Sequence, residues 1–212
     1  MKAYRVHEYG DAAKFIGEEV SKPSAKQGHV VVEVKASSLN PVDHKLLKCD
    51  LGINPALPGI LHMDVSGVIT EVGKGVTAFK TGDEIYGCAG GLQGEAGNIE
   101  GALADFMLAD SNLIALKPKS LSFSESAALP LVTITAWEGL FDRAHVKKED
   151  HVLIHGGTGG VGHIAIQLAK QHGARVATTV SSEEKAKIAR GLGAEDVIFY
   201  RDEKVEDYTQ RL

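Results

Sequence analysis

The sequence has few of the features that would place it in a specialised class. Its 212 residues include only two cysteines, Cys49 and Cys88, which stand far apart with no CxxC pair. That excludes a disulfide scaffold and suits a reducing cytoplasm, the expected location. No apolar run approaches the length of a bilayer span, so no membrane association is expected. The opening stretch MKAYRVHEYG lacks an apolar segment after Lys2 and reads as a strand, not a signal peptide. Charge of one sign is also missing. The 23 basic and 28 acidic residues leave a net charge of -5, with no basic stripe to receive nucleic acid.

What is present implies a packed core, since 43% of the residues are hydrophobic, and the length allows one large or two small domains. The first half is rich in strand signals. Residues 29–37 (HVVVEVKAS) and 64–72 (DVSGVITEV) are β-branched and roughly alternating, and 83–87 and 104–108 are shorter candidates. Gly and Pro punctuate these runs, which predicts an antiparallel barrel or sandwich. Residues 87–101 are glycine-rich and read as a loop.

Near residue 120 the pattern changes. Ser122 and Glu125 have capping-box spacing, and residues 126–143 read as one or two helices with Pro130 at a boundary. Strand (150–155), helix (160–172), strand (174–180), helix (182–192) and strand (196–200) then alternate. Such alternation predicts a parallel βαβαβ sheet with helices on its faces. The expected domains are 1–124 and 125–212.

The strand ending at His155 runs into Gly157-Thr158-Gly159-Gly160-Val161-Gly162 and then a helix. GxGxxG in that context is a dinucleotide turn. Its glycines permit a tight bend and close approach to a pyrophosphate, and the helix N-terminus supplies N–H groups. A lone GxGxxG can be only a turn; a strand before it, a helix after it and a second strand beyond favour the functional reading. At the end of that second strand an acid would bind the ribose of NADH. Here Thr178-Thr179-Val180-Ser181-Ser182 is followed by Lys185 one helical turn on. Hydroxyls with a nearby lysine favour the 2′-phosphate of NADPH over NADH. The plainer alternative makes Ser182 a helix cap and Lys185 a solvated surface residue.

Several motifs in order now support a resemblance that covers essentially the whole chain. They are residues 38–43 (SLNPVD), 58–67 (PGILHMDVSG), 72–76 (VGKGV), 80–86 (KTGDEIY), Thr135-Ala136-Trp137 and residues 155–162. Together they resemble the medium-chain dehydrogenase/reductase superfamily. The resemblance implies an α/β plus β fold, a GroES-like strand-rich domain followed by a partial Rossmann domain, with the active site between them. Zinc-dependent members place metal ligands at positions that match Asn40, Met63 and Val132 here, none of which can replace a Cys or His ligand. His44 and His62 lie nearby and read as ordinary polar residues or substrate-side contacts. The four-cysteine structural lobe is absent too. The resemblance therefore points to the zinc-free quinone oxidoreductase branch, with no metal.

In that branch a hydride would pass from the nicotinamide to a quinone or an α,β-unsaturated carbonyl, with the protein supplying position and charge stabilisation. By motif match Asn40 can donate its amide to a developing enolate oxygen, unless it only shapes a turn before Pro41. Asp43 and Asp64 flank the metal position of zinc relatives and would orient neighbours. Thr135 would touch the nicotinamide, and Tyr200 would lie near the adenosine end or merely close a strand. Residues 48–58 contain no tyrosine, which counts against enoyl-thioester reduction. A non-catalytic role, crystallin-like or RNA-binding, is the alternative from a different class, and the negative charge counts against RNA. The relatives' sheet continues beyond a third strand. The 212 residues are accordingly expected to be a fragment of a longer reductase, homo-oligomeric when complete, or else a short form completed by a partner chain; either way they are expected to have little activity alone and to associate.

Overall fold

A computed structural model describes residues 1–94 and 97–210. The chain divides into two compact units, Met1–Leu131 and Val132–Leu212.

In chain order the first unit carries β1 (Lys2–Val6), β2 (Ile16–Glu19), β3 (His29–Ser37), α1 (Pro41–Lys48), β4 (Gly59–Ile60) and β5 (Asp64–Val72). There follow β6 (Glu84–Cys88), β7 (Leu92–Gly94), β8 (Gly97–Ile99), β9 (Phe106–Asp110), β10 (Ile114–Leu116) and α2 (Phe123–Ala127). Five strands form one antiparallel sheet in the order β10-β6-β5-β3-β9, and β2-β1-β4 form a second sheet. β3 and β5 are its long central strands because their β-branched residues suit a pleated, buried surface. Val30, Val32, Val65, Ile69, Ile85 and Met107 belong to the core of this unit. Ser122 caps α2 by accepting the Glu125 N–H while Glu125 accepts the Ser122 N–H, the reciprocal box its spacing predicts. α2 packs on β3, β5 and β6, so the expected boundary at 124/125 falls inside a helix of the first unit.

The second unit begins within α3 (Pro130–Trp137), which continues as a π-helical segment, Glu138–Arg143. Then come β11 (His151–Ile154), α4 (Gly160–His172), β12 (Arg175–Val180), α5 (Glu183–Leu192), β13 (Asp196–Phe199) and α6 (Val205–Thr209). β11, β12 and β13 pair in parallel in that order. α4 and α5 each stop at a glycine in the left-handed region, Gly173 (φ 92°) and Gly193 (φ 114°). Ala165, Ile166 and Ala169 of α4 and Ala186 and Ala189 of α5 are buried with Val176 of β12.

The structure changes three local readings. The glycine-rich stretch 87–101 is not all loop: β7 and β8 form a short antiparallel hairpin in it, whose backbone hydrogen bonds need no side-chain signal. Residues 95 and 96 of that stretch lie outside the described residues. Asn40-Pro41 does not close a turn but opens α1, with Pro41 at the first helical position, where its missing N–H costs nothing. The strands expected at 83–87 and 104–108 lie one and two residues later.

Gly67 shows how tightly β3 and β5 meet. A Cβ there would sit 2.2 Å from the Glu33 carbonyl oxygen and 2.7 Å from Val32 Cγ1. Neither neighbour can yield without disturbing the central strand pair. Gly67→Ala is expected to destabilise the protein by about 1–3 kcal/mol, the usual cost of overpacking, read as a lower midpoint in urea unfolding.

Candidate functional site

Two groups of residues bear chemistry, one in each unit. In the second unit the glycine turn leaves β11 and enters α4. Gly156 takes a left-handed φ of 68°. Its N–H donates to Thr179 Oγ1 at 2.9 Å, and the Gly157 N–H donates to the Thr179 carbonyl at 3.2 Å. The turn is thus tied to β12, the neighbouring strand. A Cβ at Gly157 would fall 2.1 Å from Thr178 Oγ1, and one at Gly162 would fall 2.3 Å from the Gly156 carbonyl oxygen. Only glycine fits at either place. The cap residue of α4 is Gly159, with no side-chain oxygen to engage the first-turn N–H groups. That leaves them as donors for an anion.

The other expected cofactor residues lie along this edge of the second unit. Thr158 is half-buried and Val161 is exposed. Ser181 is half-buried after β12, and Ser182 caps α5 through the Lys185 N–H. The Lys185 side chain is exposed, so the capping role of Ser182 and a surface ammonium coexist. Tyr200 is 52% exposed after β13, its ring 5.8 Å from the Arg201 guanidinium, and is not packed into the strand end. Thr135 is exposed on α3. Thr178 and Thr179 belong to the hydroxyl stretch read as favouring NADPH, but their bracing of the glycine turn and β11 was not expected. Their signal was a hydroxyl pair inside a strand whose other central positions are Val and Ala.

In the first unit the structure brings Asn40, Asp43 and Asp64 together in a buried polar cluster. Asp64, at the start of β5, is fully buried. Its Oδ2 accepts from Ser38 Oγ at 2.7 Å and Asn40 Nδ2 at 2.9 Å, and its Oδ1 accepts from the Leu131 N–H at 2.9 Å. The Cys88 thiol also bonds to it. Asn40 Nδ2 spends its second hydrogen on Ser38 Oγ at 3.2 Å. Asp43 Oδ2 accepts the Asn40 N–H at 2.7 Å, which holds the first turn of α1, while Asp43 Oδ1 is buried without a partner.

Burial raises the pKa of Asp43, against the Asn40 N–H, and the Asp64 charge adds to the rise. It also raises Asp64, with the Ser38 and Asn40 bonds opposing. The Cys88 thiol is pushed up to about 12 by burial and by the two carboxylates, which makes it a neutral donor and not a nucleophile.

His62 completes the cluster. It is half-buried between β4 and β5, with Nδ1 3.0 Å from Ser37 Oγ and its ring edge-on to Phe15 at 6.4 Å. Its φ is 74°, a left-handed conformation that costs a non-glycine residue about 1–3 kcal/mol. Burial lowers its pKa, opposed by Asp43 and Asp64. His44 is exposed on α1. Met63 and Val132 are buried apolar residues. Among the described residues no three His, Cys, Asp or Glu side chains gather as a metal site.

A strand-rich unit with this cluster, followed by a parallel βαβαβ unit with a glycine turn, defines a medium-chain dehydrogenase/reductase. The comparisons agree. Residues 26–119 match the alcohol dehydrogenase GroES-like domain, and residues 160–212 match the family described as zinc-binding dehydrogenase. The chain is 40% identical to 2-methylene-furan-3-one reductase of Solanum lycopersicum, over 98% of the chain and 54% of that protein. It is 37% identical to the NADPH-dependent alkenal/one oxidoreductase, chloroplastic, of Arabidopsis thaliana, with the same coverage. An alcohol dehydrogenase superfamily protein from Novosphingobium aromaticivorans superposes with a TM-score of 0.90 at 38% identity, covering 100% of this chain and 62% of that one. Escherichia coli quinone oxidoreductase complexed with NADPH superposes with a TM-score of 0.82 at 28% identity, covering 100% and 62%. The chain belongs to the medium-chain dehydrogenase/reductase superfamily, in its quinone oxidoreductase-like branch. It spans about half the length of the curated relatives it matches.

The buried Asp43 carboxyl has a consequence for stability. Its folded pKa lies above the ordinary value of 3.8, so below about pH 4 the folded and unfolded chains are both protonated there. As pH rises the unfolded chain ionises first, and folding stability falls through the raised folded pKa. Asp43→Asn keeps an acceptor for the Asn40 N–H and removes the charge. Its melting temperature relative to the original protein is expected to climb between pH 4 and pH 7. A constant difference across that range contradicts the assignment.

Proposed function

We propose that the intact protein is an NADPH-dependent, zinc-independent reductase of quinones or α,β-unsaturated carbonyls. The observation that carries this reading is the glycine turn. Gly157 and Gly162 have no room for a Cβ, and α4 opens on a glycine cap, so residues 157–162 fit a pyrophosphate held by backbone N–H groups. The bound cofactor supplies a hydride.

Ser181, Ser182 and Lys185 follow β12 where an acid would otherwise select NADH, and they suit a 2′-phosphate. Tyr200 lies after β13 on the side proposed for adenosine, and Thr135 on α3 is proposed to meet the nicotinamide. The two plant relatives are named for enone substrates, and one is named NADPH-dependent. Those names and the tyrosine-free residues 48–58 favour a quinone or free enone over an enoyl thioester. Asn40, Met63 and Val132 at the zinc-ligand positions favour a metal-free site, although one matching family is named for zinc. In that site Asn40 and Asp43 act as positioning residues. Asn40 spends both amide hydrogens on Asp64 and Ser38, and Asp43 fixes the start of α1. A cytoplasmic location belongs to this proposal. Cys49 and Cys88 are free thiols, and no helix among the described residues is long and apolar enough to cross a membrane.

The intact protein is expected to oxidise NADPH with quinone or enone acceptors and to bind NADPH more tightly than NADH. Lys185→Ala should weaken NADPH by about 1–3 kcal/mol, the range for one charge-assisted contact, and leave NADH unchanged in calorimetric titration. Equal loss for both cofactors removes Lys185 from the 2′-phosphate site. Metal analysis after dialysis against a chelator should find far less than one zinc per chain with turnover intact. One retained zinc per chain, with activity lost on its removal, overturns the metal-free assignment.

A further inference from the structure

A metal-free reductase must meet the acceptor's oxygen with N–H or O–H groups, because hydride arrival drives an electron pair onto it. The first-unit cluster has few donors left. Asn40 Nδ2 gives its hydrogens to Asp64 and Ser38, and Ser38 Oγ gives its own to Asp64. The Cys88 thiol is bonded to Asp64 as well. Asp43 and Asp64 are the acceptors of these bonds, Asp43 Oδ2 from the Asn40 N–H and Asp64 Oδ2 from Ser38 and Asn40. His62 differs. Its Nδ1 engages Ser37 Oγ, and Nε2 has no hydrogen-bond partner among the described residues.

We propose that His62 is the oxyanion donor of this site, presenting Nε2–H to the carbonyl oxygen of the quinone or enone. The proposal rests on the reductase reading above. The balance is one hydride and one proton. Bound reduced cofactor would supply the hydride to the acceptor's β-carbon, the carbon–carbon π pair would move to the bond with the carbonyl carbon and the carbonyl π pair onto oxygen, and His62 would hold that oxygen while water supplied the proton that completes reduction. His62 keeps its own proton throughout.

Three features support this role. The backbone at position 62 is left-handed, where glycine would sit without strain, yet an imidazole is present. The surroundings enforce that conformation. The His62 carbonyl accepts the Ala102 N–H at 2.9 Å, and the Leu61 carbonyl accepts the Leu103 N–H at 3.2 Å. Gly91 and Gly101 press so close that a Cβ on either would come within 3.0 Å of His62 backbone atoms. The neighbours have given up side chains to hold this backbone, while position 62 retains one. Strain maintained in this way is characteristic of functional positions.

The second feature is the Ser37 contact. Ser37 Oγ lies 3.0 Å from Nδ1 and can donate to it, the arrangement that puts the ring hydrogen on Nε2, as the role requires. The third is the charge state. Burial keeps the ring neutral to a lower pH than usual, and a neutral imidazole is an effective donor to a polarised carbonyl. The ionisable groups that interact with the ring are Asp43 and Asp64, whose own ionisation burial holds back.

The experiment compares His62→Gly and His62→Gln with the original intact protein. Turnover is measured with NADPH and a panel of quinones and enones, alongside the carbonyl stretch of an enone bound with oxidised cofactor. His62→Gly should lose about 10²-fold in kcat, as for removal of one oxyanion donor. Its KM for NADPH should stay within about twofold, and its melting temperature should be equal or higher because the left-handed strain is relieved. The bound carbonyl should move to higher frequency. His62→Gln, which still carries an amide N–H, should recover part of the lost rate. If position 62 only shapes the chain, glycine will serve at least as well as histidine. A His62→Gly protein with the original kcat and carbonyl frequency therefore overturns the proposal and leaves the reductase reading standing. An original protein that reduces none of the acceptors overturns both.

Discussion

A fully buried carboxylate persists only where the surrounding chain supplies donors to replace its lost water. Asp64 draws them from three separate segments: Ser38 and Asn40 between β3 and α1, Cys88 at the end of β6 and Leu131 in the first turn of α3. These three segments lie far apart in sequence. Their convergence on one side chain fixes how the loop after β3 enters α1 and where α3 begins. The bond from Asn40 explains why that residue is an asparagine. Its amide supplies two hydrogens, and its backbone N–H supplies a third to Asp43. The local geometry of the cluster is therefore set by hydrogen-bond supply more than by apolar packing.

The second unit is governed by space. Gly157 lies against Thr178 and Ile166, and Gly162 lies against the Gly156 carbonyl, so β11, α4 and β12 approach more closely than side chains would allow. Thr178 and Thr179 convert that closeness into hydrogen bonds, from Thr178 Oγ1 to the Ile154 carbonyl and from the Gly156 N–H to Thr179 Oγ1. The alanine-rich inner faces of α4 and α5 serve the same end, since short side chains bring the helices near the sheet. A turn braced on one strand and free of side chains on the other is preorganised for an anion before one arrives.

What the sequence disclosed follows from the range of the forces involved. β3, β5 and α4 matched their patterns residue for residue because long runs of β-branched or 3.6-periodic residues carry their own signal. β2, four residues with two glutamates at a sheet edge, has no such run and was not read. α1 was obscured because Asn-Pro is as good a turn as a helix start, and only the Asp43 bond to the Asn40 N–H distinguishes them. The β7–β8 hairpin is held by backbone bonds that glycine-rich sequence does not announce. The candidate site divides in the same way. The glycine turn was legible because its constraint is local. The commitment of Asn40's amide to Asp64 was not, since the partner lies 24 residues away.

His62 marks where local reading fails for a different reason. Its motif, LHMDVSG, contains nothing that announces a left-handed backbone, and histidine is not the residue a turn would choose. The conformation is imposed from outside by the segment carrying Ala102 and Leu103, which bonds to the carbonyls of His62 and Leu61. The same imposition carries the imidazole to Ser37, 25 residues earlier, and into the field of two carboxylates. A side chain placed by such distant partners, at a conformational cost that glycine would avoid, is better explained by what it contacts than by what it does for the chain.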